Sequence, residues 1–436
     1  MPPTSPLGST VDPSLGSSLG SALGSTRLDR RRLLLAAGAA IPLAGLPGLL
    51  DPAQAVVDQR AGRLVKVGAR SSRALTTSGL YSYPQDYLAN RAQMRGLGAP
   101  TLRLANADMD DATWAAAQED GYDTHLTLST EDRADFPDDA SFIANHLAGI
   151  DTMLRRWPFR WLEIFNEPNF SMWWDAAPED KQRLYGTLLV AAYRHVKANY
   201  PGTGVIGFAA GGSSAAAPGF IRGVLEAVPE AATSFDVLSM HPYIAPVAPE
   251  ETKHEDWGSW NVASQVRDVR RLGVTKPIWF SEVGWEIGQS EGGAFARERT
   301  DVVSAEQQAA YTARMFVLAM RLGVERVHHM YVIDTDNFNG GFFAPGGARP
   351  QARAMAFQQR VLDQPSAVRR LGDNHSDRHV YRIRTANGPV VMAWSDSGGS
   401  VQVGRGAVVR DLYGNEVKVR RGRVRISTAP VYVTNL

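Results

Sequence analysis

The sequence contains no cysteine, so thiol catalysis, disulfide bonds and cysteine-based metal sites are all excluded. It also lacks a strong charge of either sign, because 46 lysines and arginines nearly balance 45 aspartates and glutamates, leaving a formal net charge of +1. Such a chain has no general electrostatic attraction for nucleic acid. Any ligand must therefore be recognised at a local site, and we expect no nucleic-acid partner.

Long hydrophobic runs and metal-binding patterns are also scarce. After residue 56, no stretch reaches the ~18 apolar residues that a membrane-spanning helix needs. Residues 334–340 are rich in oxygen donors, but an EF-hand loop starting at Asp334 would need oxygen ligands where Phe338 and Pro345 stand. We therefore expect no stable membrane span, no bound metal ion and no other cofactor.

The first 55 residues have the composition of a targeting segment. Residues 1–28 are rich in proline, glycine, serine and threonine, and three consecutive arginines at 30–32 precede an apolar stretch that ends at Leu50. Ala53-Gln54-Ala55 is a small-x-small cleavage signal. This order predicts a twin-arginine-type signal peptide and export to the periplasm or the extracellular space. The alternative, a membrane anchor, is disfavoured because Pro42 and Pro47 interrupt the apolar stretch.

From about residue 62, short apolar segments typical of strands alternate with longer amphipathic ones typical of helices. The candidate strands are residues 64–68, 101–105, 124–128, 161–165, 205–209, 235–240, 277–281 and 327–332. The clearest helical patterns are residues 142–157, 181–200, 263–272 and 305–322. Eight strands alternating with helices predict an α/β fold, a (β/α)8 or TIM barrel, over residues 56–363. A doubly wound open sheet is the competing arrangement, but residues 64–68 are not followed by a nucleotide-binding loop.

The pattern changes after residue 364 to short strands separated by turn signals. The candidate strands are residues 380–385, 390–395, 401–403, 407–413, 423–427 and 431–433. Asn387-Gly388 and Ser397-Gly398-Gly399 are two of the turns between them. Residues 364–436 are therefore predicted to form a small antiparallel β-sandwich packed on the barrel.

Two glutamates directly follow apolar strands of the predicted barrel. Glu167 lies in Asn166-Glu167-Pro168 after the fourth strand, and Glu282 follows the seventh. Active sites of such barrels lie at the carboxyl ends of the strands, so the two side chains can face each other across the barrel mouth. Facing carboxyl groups suit glycosidic bond cleavage, where one donates a proton and the other attacks the anomeric carbon. A separation of about 5–5.5 Å gives retention of configuration and a wider one gives inversion.

These two motifs resemble the fourth-strand and seventh-strand signatures of clan A glycoside hydrolases, a retaining superfamily. The residues that carry the resemblance are Phe-Asn-Glu-Pro-Asn at 165–169 and Ser-Glu-Val-Gly-Trp at 281–285. The resemblance implies that Glu167 is the acid/base and Glu282 the nucleophile. It covers roughly residues 62–436, and the attached β-domain resembles that of family 39 and of some family 5, 30 and 79 enzymes.

Further positions match the clan one by one. The resemblance implies that Arg103, at the end of the second strand, lies near the nucleophile, where its charge would favour the ionised carboxylate. Asn166 precedes the acid/base and is implied to bind the sugar 2-hydroxyl. His241-Pro242-Tyr243 ends the sixth strand and looks like the clan's His-x-Tyr motif, in which the tyrosine hydrogen-bonds the nucleophile. Simple packing is the alternative for His241 and Tyr243, and a structural ion pair is the alternative for Arg103.

Aromatic residues are frequent in the segments that follow the strands. They include Trp173 and Trp174 after the fourth strand, Trp285 after the seventh and Tyr331 in the eighth. Apolar sugar faces stack on such rings, so this set predicts a carbohydrate cleft, to which Asp334 is expected to contribute. Many clan members carry a tryptophan at the end of the eighth strand, and Tyr331 is expected to replace it here.

The sequence therefore predicts a retaining glycoside hydrolase that cleaves a polysaccharide or oligosaccharide by double displacement. Two alternatives remain open. A transglycosylase would use the same residues but exclude water from the glycosyl-enzyme, and a catalytically silent carbohydrate-binding protein would use only the cleft.

Overall fold

A computed structural model of the protein describes residues 76–130, 132–170, 178–212, 216–255, 258–294, 301–335, 338–344, 347–372 and 377–436. These residues belong to one compact unit that extends from Asp58 to Leu436. The predicted signal peptide, residues 1–55, and the predicted first strand, residues 64–68, lie outside the described residues.

The elements alternate as a (β/α)8 barrel requires and then change to strands alone. The helices are α1 (Pro84–Gly96), α2 (Asp111–Glu119), α3 (Asp139–Arg156), α4 (Pro178–Asn199), α5 (Ala217–Ala227), α6 (Val262–Arg271), α7 (Ala305–Leu322) and α8 (Pro350–Val361). The strands are β1 (Thr77–Ser82), β2 (Thr101–Ala105), β3 (Asp123–Leu128), β4 (Trp161–Ile164), β5 (Gly204–Gly211), β6 (Val237–His241), β7 (Lys253–Glu255), β8 (Gly258–Trp260), β9 (Ile278–Val283), β10 (Val324–His329), β11 (Phe343–Ala344), β12 (Gly347–Ala348), β13 (Ala367–Arg370), β14 (Arg378–Thr385), β15 (Gly388–Ser395), β16 (Gly399–Gln402), β17 (Val408–Arg410), β18 (Arg423–Ile426) and β19 (Val431–Thr434).

Eight parallel strands close into a barrel in the order β1-β10-β9-β6-β5-β4-β3-β2. The helices between them lie outside, and the carboxyl ends of all eight strands meet at one mouth. The predicted barrel is thus confirmed, and seven of the predicted strands overlap its strands. The paired segments β7 and β8 form a separate hairpin between β6 and α6.

Among the described residues, the strand that opens the closed barrel is β1, which the sequence did not predict. The segment Thr77–Ser82 has few large apolar residues, which is why periodicity did not reveal it. The barrel interior explains this composition. A Cβ atom at Gly79 would lie 2.3 Å from both the His328 ring and the Thr101 hydroxyl, so only glycine fits there.

Four of the helices, α2, α3, α6 and α7, begin at side-chain caps. In α3, the Asp138 carboxylate accepts from the Ser141 backbone in a capping box, and Ser304 caps α7 in the same way. Helix α7 is buried on nearly every side, because it packs against the barrel and also against α8 and β13. Within the part of the chain that the structure describes, no helix combines the length and apolar character needed to cross a bilayer.

The C-terminal strands form a small antiparallel domain, as predicted. Its main sheet has the order β13-β14-β15-β19-β17, and the ribbon β16-β18 packs on one face. The other face contributes side chains such as Ile383, Trp394 and Tyr432 to the main core of the barrel. Strand β13 was not predicted, because it has one buried position, Val368, followed by two arginines, and so shows no apolar pattern typical of a strand.

A buried arginine on α7 joins the barrel to this domain. The Arg314 guanidinium donates to both carboxylate oxygens of Asp396, at 2.9 and 2.7 Å, and to the Thr428 carbonyl at 3.3 Å. It also donates to Glu250, which lies after β6, at 2.9 Å. The Trp394 indole donates to the same Glu250 oxygen. Because Asp396 follows β15 and Glu250 belongs to a mouth loop, this network ties one end of the domain to the active-site side of the barrel.

Replacing Arg314 by methionine should destabilise the protein by about 3 kcal/mol, because it leaves Glu250 buried without its guanidinium partner. The measurement is the free energy of unfolding from urea denaturation. The matched control is Arg321→Met on the same helix, where the side chain is partly exposed and the expected change is below about 1 kcal/mol. Equal effects of the two substitutions would contradict the proposed role of this network.

Candidate active site

Glu167 is placed at the barrel mouth by a strained turn that follows β4. Phe165 and Glu167 have φ angles of 68° and 45°, in the left-handed region that residues other than glycine rarely adopt. Hydrogen bonds hold this backbone, since Phe165 N–H donates to the Leu128 carbonyl at 3.0 Å and Glu167 N–H donates to the Ala209 carbonyl at 3.1 Å. The strain is therefore maintained by the neighbouring strands β3 and β5, and it turns the Glu167 side chain into the mouth.

Strand β5 makes room for this carboxyl group. Its pairing with β6 shifts register between Gly207 and Ala210, which is a bulge, and it ends at Gly211. A Cβ atom at Gly211 would lie 2.2 Å from a carboxylate oxygen of Glu167. The glycine is therefore required by the close approach of Glu167, and the Asn169 side chain fixes it by hydrogen bonds to its backbone at 2.9 and 3.0 Å.

Glu282 lies near the end of β9, and both of its oxygens accept hydrogen bonds. The Arg103 guanidinium donates to one oxygen at 2.6 Å, and the Tyr243 hydroxyl donates to the other at 2.8 Å. The Tyr243 hydroxyl also contacts the sulfur of Met330, which directly follows β10. Glu282 is thus held in one orientation by donors from β2 and from the segment after β6.

Arg103 connects this carboxylate to the β4 side of the mouth. It donates to the Asn166 side-chain oxygen at 2.7 Å and to Glu163 at 3.0 Å, while its guanidinium lies 4.1 Å from the centre of the Tyr81 ring. Burial acts to raise the pKa of Glu163, but the Arg103 charge outweighs it and holds that pKa well below its usual range. Glu163 therefore acts as the permanent counter-charge of Arg103.

Sequence reasoning missed Glu163, although a signal was present. Glu163 lies between the buried Leu162 and Ile164 in a central barrel strand, where a carboxylate is rarely found without a partner. Strand alternation places it on the opposite side from these two residues, inside the barrel. Thr127 donates to it, and a nitrogen of His125 lies 3.5 Å from its second oxygen.

His241 lies between the two mouth carboxyl groups at the end of β6. Its Nδ1 is 2.8 Å from a Glu167 oxygen and 3.4 Å from a Glu282 oxygen. Its Nε2 is 2.9 Å from the Ser281 hydroxyl, which orients the ring from below. One ligand atom each from Glu167, His241 and Glu282 lies within 4.8 Å of the others, so an oxygen of one glutamate is within 4.8 Å of an oxygen of the other.

The environment gives Glu167 the protonation behaviour of an acid. Burial raises its pKa, the hydrogen bond and charge of His241 act in the opposite direction, and the nearby Glu282 raises it further. Burial lowers the pKa of His241, but the two glutamates outweigh this and raise it above its usual value. A proton is therefore retained among these groups to a higher pH than an exposed carboxyl group would retain it.

The same three side chains are the group among the described residues that could hold a metal ion. Two carboxylates and an imidazole are suitable donors for several divalent ions. Here, however, their atoms already face one another at hydrogen-bonding distance, so an ion would first have to separate Nδ1 of His241 from Glu167. The arrangement as it stands suits the transfer of a proton.

An aromatic wall borders the site on the β1 and β10 side. Tyr331 is 8% exposed and packs against Tyr81, Tyr83 and Phe338, with ring centres 5.0, 5.6 and 6.0 Å apart. Phe338 in turn lies 6.2 Å from the Tyr243 ring. The wall therefore reaches the side chains that surround Glu282, although contact between Tyr331 and a sugar stays a prediction.

The predicted role of Trp285 in sugar binding is wrong. Its side chain is only 1% exposed and belongs to the main core, where the ring centre lies 5.6 Å from that of Tyr311. The indole N–H donates to the Val247 carbonyl at 2.9 Å, so even its polar atom faces a loop. Trp285 thus joins the segments that follow β6 and β9.

Asp334 is also structural, contrary to the prediction that it lines the cleft. Its side chain is 3% exposed and forms an ion pair with Arg349 at 2.5 Å. It accepts further hydrogen bonds from the backbone N–H groups of Ala294 and Gly341, both at 2.8 Å, so both of its oxygens already have partners within the protein. The other predicted aromatic residues, Trp173 and Trp174, lie outside the described residues.

The structure thus brings together six of the predicted residues in one site. They are Arg103, Asn166, Glu167, His241, Tyr243 and Glu282. At the barrel mouth, Glu167 can donate a proton and faces Glu282, whose carboxylate is held in place by Arg103 and Tyr243. The aromatic wall lies beside them.

No protein-family model matches the chain, and no curated relative matches it by sequence. Solved structures do match its fold. A GH39 β-xylosidase from Caulobacter crescentus has a TM-score of 0.52 at 16% identity, over 86% of this chain and 97% of that one. A GH30 xylanase C from Talaromyces cellulolyticus has a TM-score of 0.53 at 10% identity, over 83% and 96%.

A 4-O-α-L-rhamnosyl-β-D-glucuronidase from Fusarium oxysporum 12S has a TM-score of 0.56 at 13% identity, over 85% of this chain and 98% of that one. All three similarities span the barrel and the antiparallel domain together. The resemblance to family 39 enzymes is therefore confirmed at the level of the fold, which this chain shares with GH39 and GH30 glycoside hydrolases.

Proposed function

We propose that the protein is a retaining glycoside hydrolase that cleaves a polysaccharide or an oligosaccharide. One observation carries the proposal: oxygens of Glu167 and Glu282, from opposite sides of the barrel mouth, lie within 4.8 Å of each other. This supports retention, because inverting enzymes need a wider gap to accommodate a water molecule. The different surroundings of the two carboxyl groups support different roles for them.

In the first half-reaction, Glu167 gives its proton to the glycosidic oxygen while Glu282 attacks the anomeric carbon. The leaving sugar departs as an alcohol, and the remaining sugar forms an ester with Glu282. The raised pKa of Glu167 keeps its proton available for this step. Arg103 and Tyr243 hold Glu282 in place during the attack.

In the second half-reaction, the Glu167 carboxylate takes a proton from water as the water oxygen attacks the anomeric carbon. The ester breaks and Glu282 leaves as a carboxylate, so the sugar is released with its original configuration. The donors on Arg103 and Tyr243 stabilise the charge that returns to Glu282. His241 can hydrogen-bond the Glu167 carboxylate once Glu167 has lost its proton, because Nδ1 of His241 lies 2.8 Å from a Glu167 oxygen.

The substrate class follows from the neighbours in fold and from the aromatic wall. These neighbours act on xylosides, xylan and glucuronides according to their names, which supports a sugar-chain substrate for this protein. We further propose that the protein acts in the periplasm or outside the cell. The support for export is the arginine-rich, apolar leader with its Ala53-Gln54-Ala55 cleavage signal.

A screen of glycans and aryl glycosides, followed by NMR of the anomeric proton, tests the proposal directly. We expect cleavage of at least one sugar class, with the product first appearing in the configuration of the substrate. A first product of inverted configuration would contradict retention. Products larger than the substrate would identify a transglycosylase, and binding without cleavage would identify a silent carbohydrate-binding protein.

Replacing Glu282 by glycine should lower turnover by about 10⁴-fold or more, because no group remains to form the ester. Added azide should restore turnover by entering the space left by the carboxylate. It attacks from the same side as Glu282 did, so the glycosyl azide should have inverted configuration. The measurement is the rate and the NMR configuration of the azide product.

The matched control for this variant is Glu167→Ala. Azide then reacts with the glycosyl-enzyme in place of water, so its product should have retained configuration. This variant should also keep much more activity on aryl glycosides with good leaving groups than on natural sugars, because the acid is needed for the poor leaving group. The same configuration from both variants would contradict the assignment of the two glutamates.

Replacing His241 by asparagine should extend activity to higher pH. Activity requires protonated Glu167, so it is present below the pKa of Glu167 and is lost as the pH rises through it. The hydrogen bond and charge of His241 lower that pKa, so their removal should raise it and shift the alkaline limb of kcat/KM upward by roughly one pH unit.

The matched control is Ser281→Ala, which removes the hydrogen bond to the opposite ring nitrogen and leaves Nδ1 facing Glu167. Its alkaline limb should stay close to that of the unmodified protein. A shift to lower pH for His241→Asn, or an equal shift for both variants, would show that His241 does not set the protonation of Glu167.

A further inference from the structure

The positive charge of the chain is concentrated in its C-terminal domain. Residues 364–436 contain 11 arginines and 1 lysine but only 4 aspartates and 1 glutamate, so this segment carries a formal charge of +7. The whole chain carries +1, and the other residues therefore carry −6. A balanced total thus hides a basic domain attached to an acidic barrel, and the nearly neutral net charge does not describe either part.

The arginines are displayed by the ribbon β16-β18 on its outer side. Val424 and Ile426 of β18 are buried in the small core between the ribbon and the main sheet. Arg423 and Arg425 alternate with them and are exposed, so they point away from that core. Because residues two apart in a strand lie about 6.8 Å apart, the ribbon presents two guanidinium groups in a row.

The turn before β18 adds two further arginines to this row. Arg420 and Arg423 exchange backbone hydrogen bonds at 2.9 and 3.0 Å across Arg421 and Gly422. Both central residues have positive φ, 51° and 71°, which is the geometry of a turn that favours Asn-Gly. Arg421 stands at the first of these positions, where asparagine is preferred and arginine is conformationally unfavourable. What arginine adds at this position is a positive charge.

A fifth arginine lies on the adjacent turn. The Val403 N–H donates to the Gly422 carbonyl at 2.9 Å, which places the turn at Gly404, Arg405 and Gly406 beside the turn that precedes β18. We call the exposed set Arg405, Arg420, Arg421, Arg423 and Arg425 the basic face.

The basic face has no acidic partner within the described part of the chain. None of its five guanidinium groups forms an ion pair with a described carboxylate, and Arg423 donates only to the Ser400 hydroxyl at 2.9 Å. Some exposed arginines on the barrel helices do have such a partner, since Arg156 and Arg194 each pair with a carboxylate. The charge of the basic face is therefore left available to an external anion.

We propose that the basic face binds an acidic polysaccharide through the carboxylates of its uronate units. Arginine guanidinium groups match carboxylates in a two-pronged geometry, and a row of them suits a polymer that carries a carboxylate on successive sugars. The choice of a sugar polymer rests on the proposed function, whereas the anion-binding face rests on the contacts described above. The face would hold such a polymer on the domain that is joined to the mouth loops by Arg314 and Glu250.

Two other polyanions fit the surface less well. Single-stranded nucleic acids bind to aromatic platforms as well as to positive charge, and among the described residues the only exposed large hydrophobic side chains are Val419 and Leu436. Binding to an anionic bilayer gains strength from apolar side chains that enter the interface, and Val419 alone would supply little of this.

The test compares two variants of the full chain with the same loss of charge. The first replaces four arginines of the basic face, R420Q/R421Q/R423Q/R425Q. The matched control, R95Q/R155Q/R194Q/R271Q, removes four barrel arginines whose side chains are 63%, 73%, 67% and 69% exposed. Unfolding temperatures show whether each variant is folded.

The probes are polygalacturonate and its fully methyl-esterified form, which has the same backbone without charge, and binding is measured by calorimetry or co-sedimentation. We expect the unmodified protein and the control to bind polygalacturonate alike, and the basic-face variant to bind about tenfold more weakly, the loss expected when four exposed charge contacts are removed. Binding of the unmodified protein should weaken as salt rises.

Equal binding by both variants, or equal binding to the esterified polymer, would overturn the proposal. Preferential binding of duplex DNA or of phosphatidylglycerol vesicles, supplied at the same concentration of charge, would overturn it in favour of that partner. Because binding is measured without cleavage, it is independent of the proposed function. Intact binding of polygalacturonate without glycosidase activity would reject only the enzyme assignment. Glycosidase activity without a binding difference between the two variants would reject only the proposed role of the basic face.

Discussion

The guanidinium of Arg103 is fully buried, and the geometry of the barrel mouth depends on it. It contacts Glu163 of β4, Asn166 after β4 and Glu282 of β9, so one side chain fixes the relative positions of both sides of the site. A buried cation is tolerated only when it is fully paired, because an uncompensated one costs several kcal/mol, about 3–5 in typical cases. The two carboxylates that meet this requirement are therefore held in place by the energetic demand of Arg103, and one of them is the proposed nucleophile.

The narrow barrel imposes a second constraint, which is backbone strain and small residues around the site. Gly79 lets β1 approach His328, and Gly211 lets β5 approach the Glu167 carboxyl group. Phe165 and Glu167 hold left-handed conformations because hydrogen bonds from neighbouring strands leave them no alternative. The same crowding buries most of the Glu167 side chain, and this burial raises its pKa, so packing and acid chemistry have one origin.

The sequence predicted the parts of this molecule that follow from periodicity and short motifs. Seven barrel strands and the residues around Glu167 and Glu282 were visible because a strand followed by a polar motif is a local pattern. Strand β1 could not be recognised in the sequence. Its Gly79 is required by contacts with His328 and Thr101, which are distant in the chain. Trp285 and Asp334 were misassigned for a related reason: sequence gives a residue's chemical type, whereas the partners that bury it, Tyr311 and Arg349, come from the fold.

The barrel mouth and the outer ribbon differ in how far folding constrains their side chains. Inside the mouth, each side chain has several partners, so a single substitution leaves a buried charge or donor unpaired. On the outer ribbon, Arg423 and Arg425 share a strand with buried valine and isoleucine but have no carboxylate partner in the described chain. Folding constrains only the inward positions there, and the outward ones are left to whatever the surface contacts. Their uniform positive charge is therefore better explained by a ligand than by the stability of the domain.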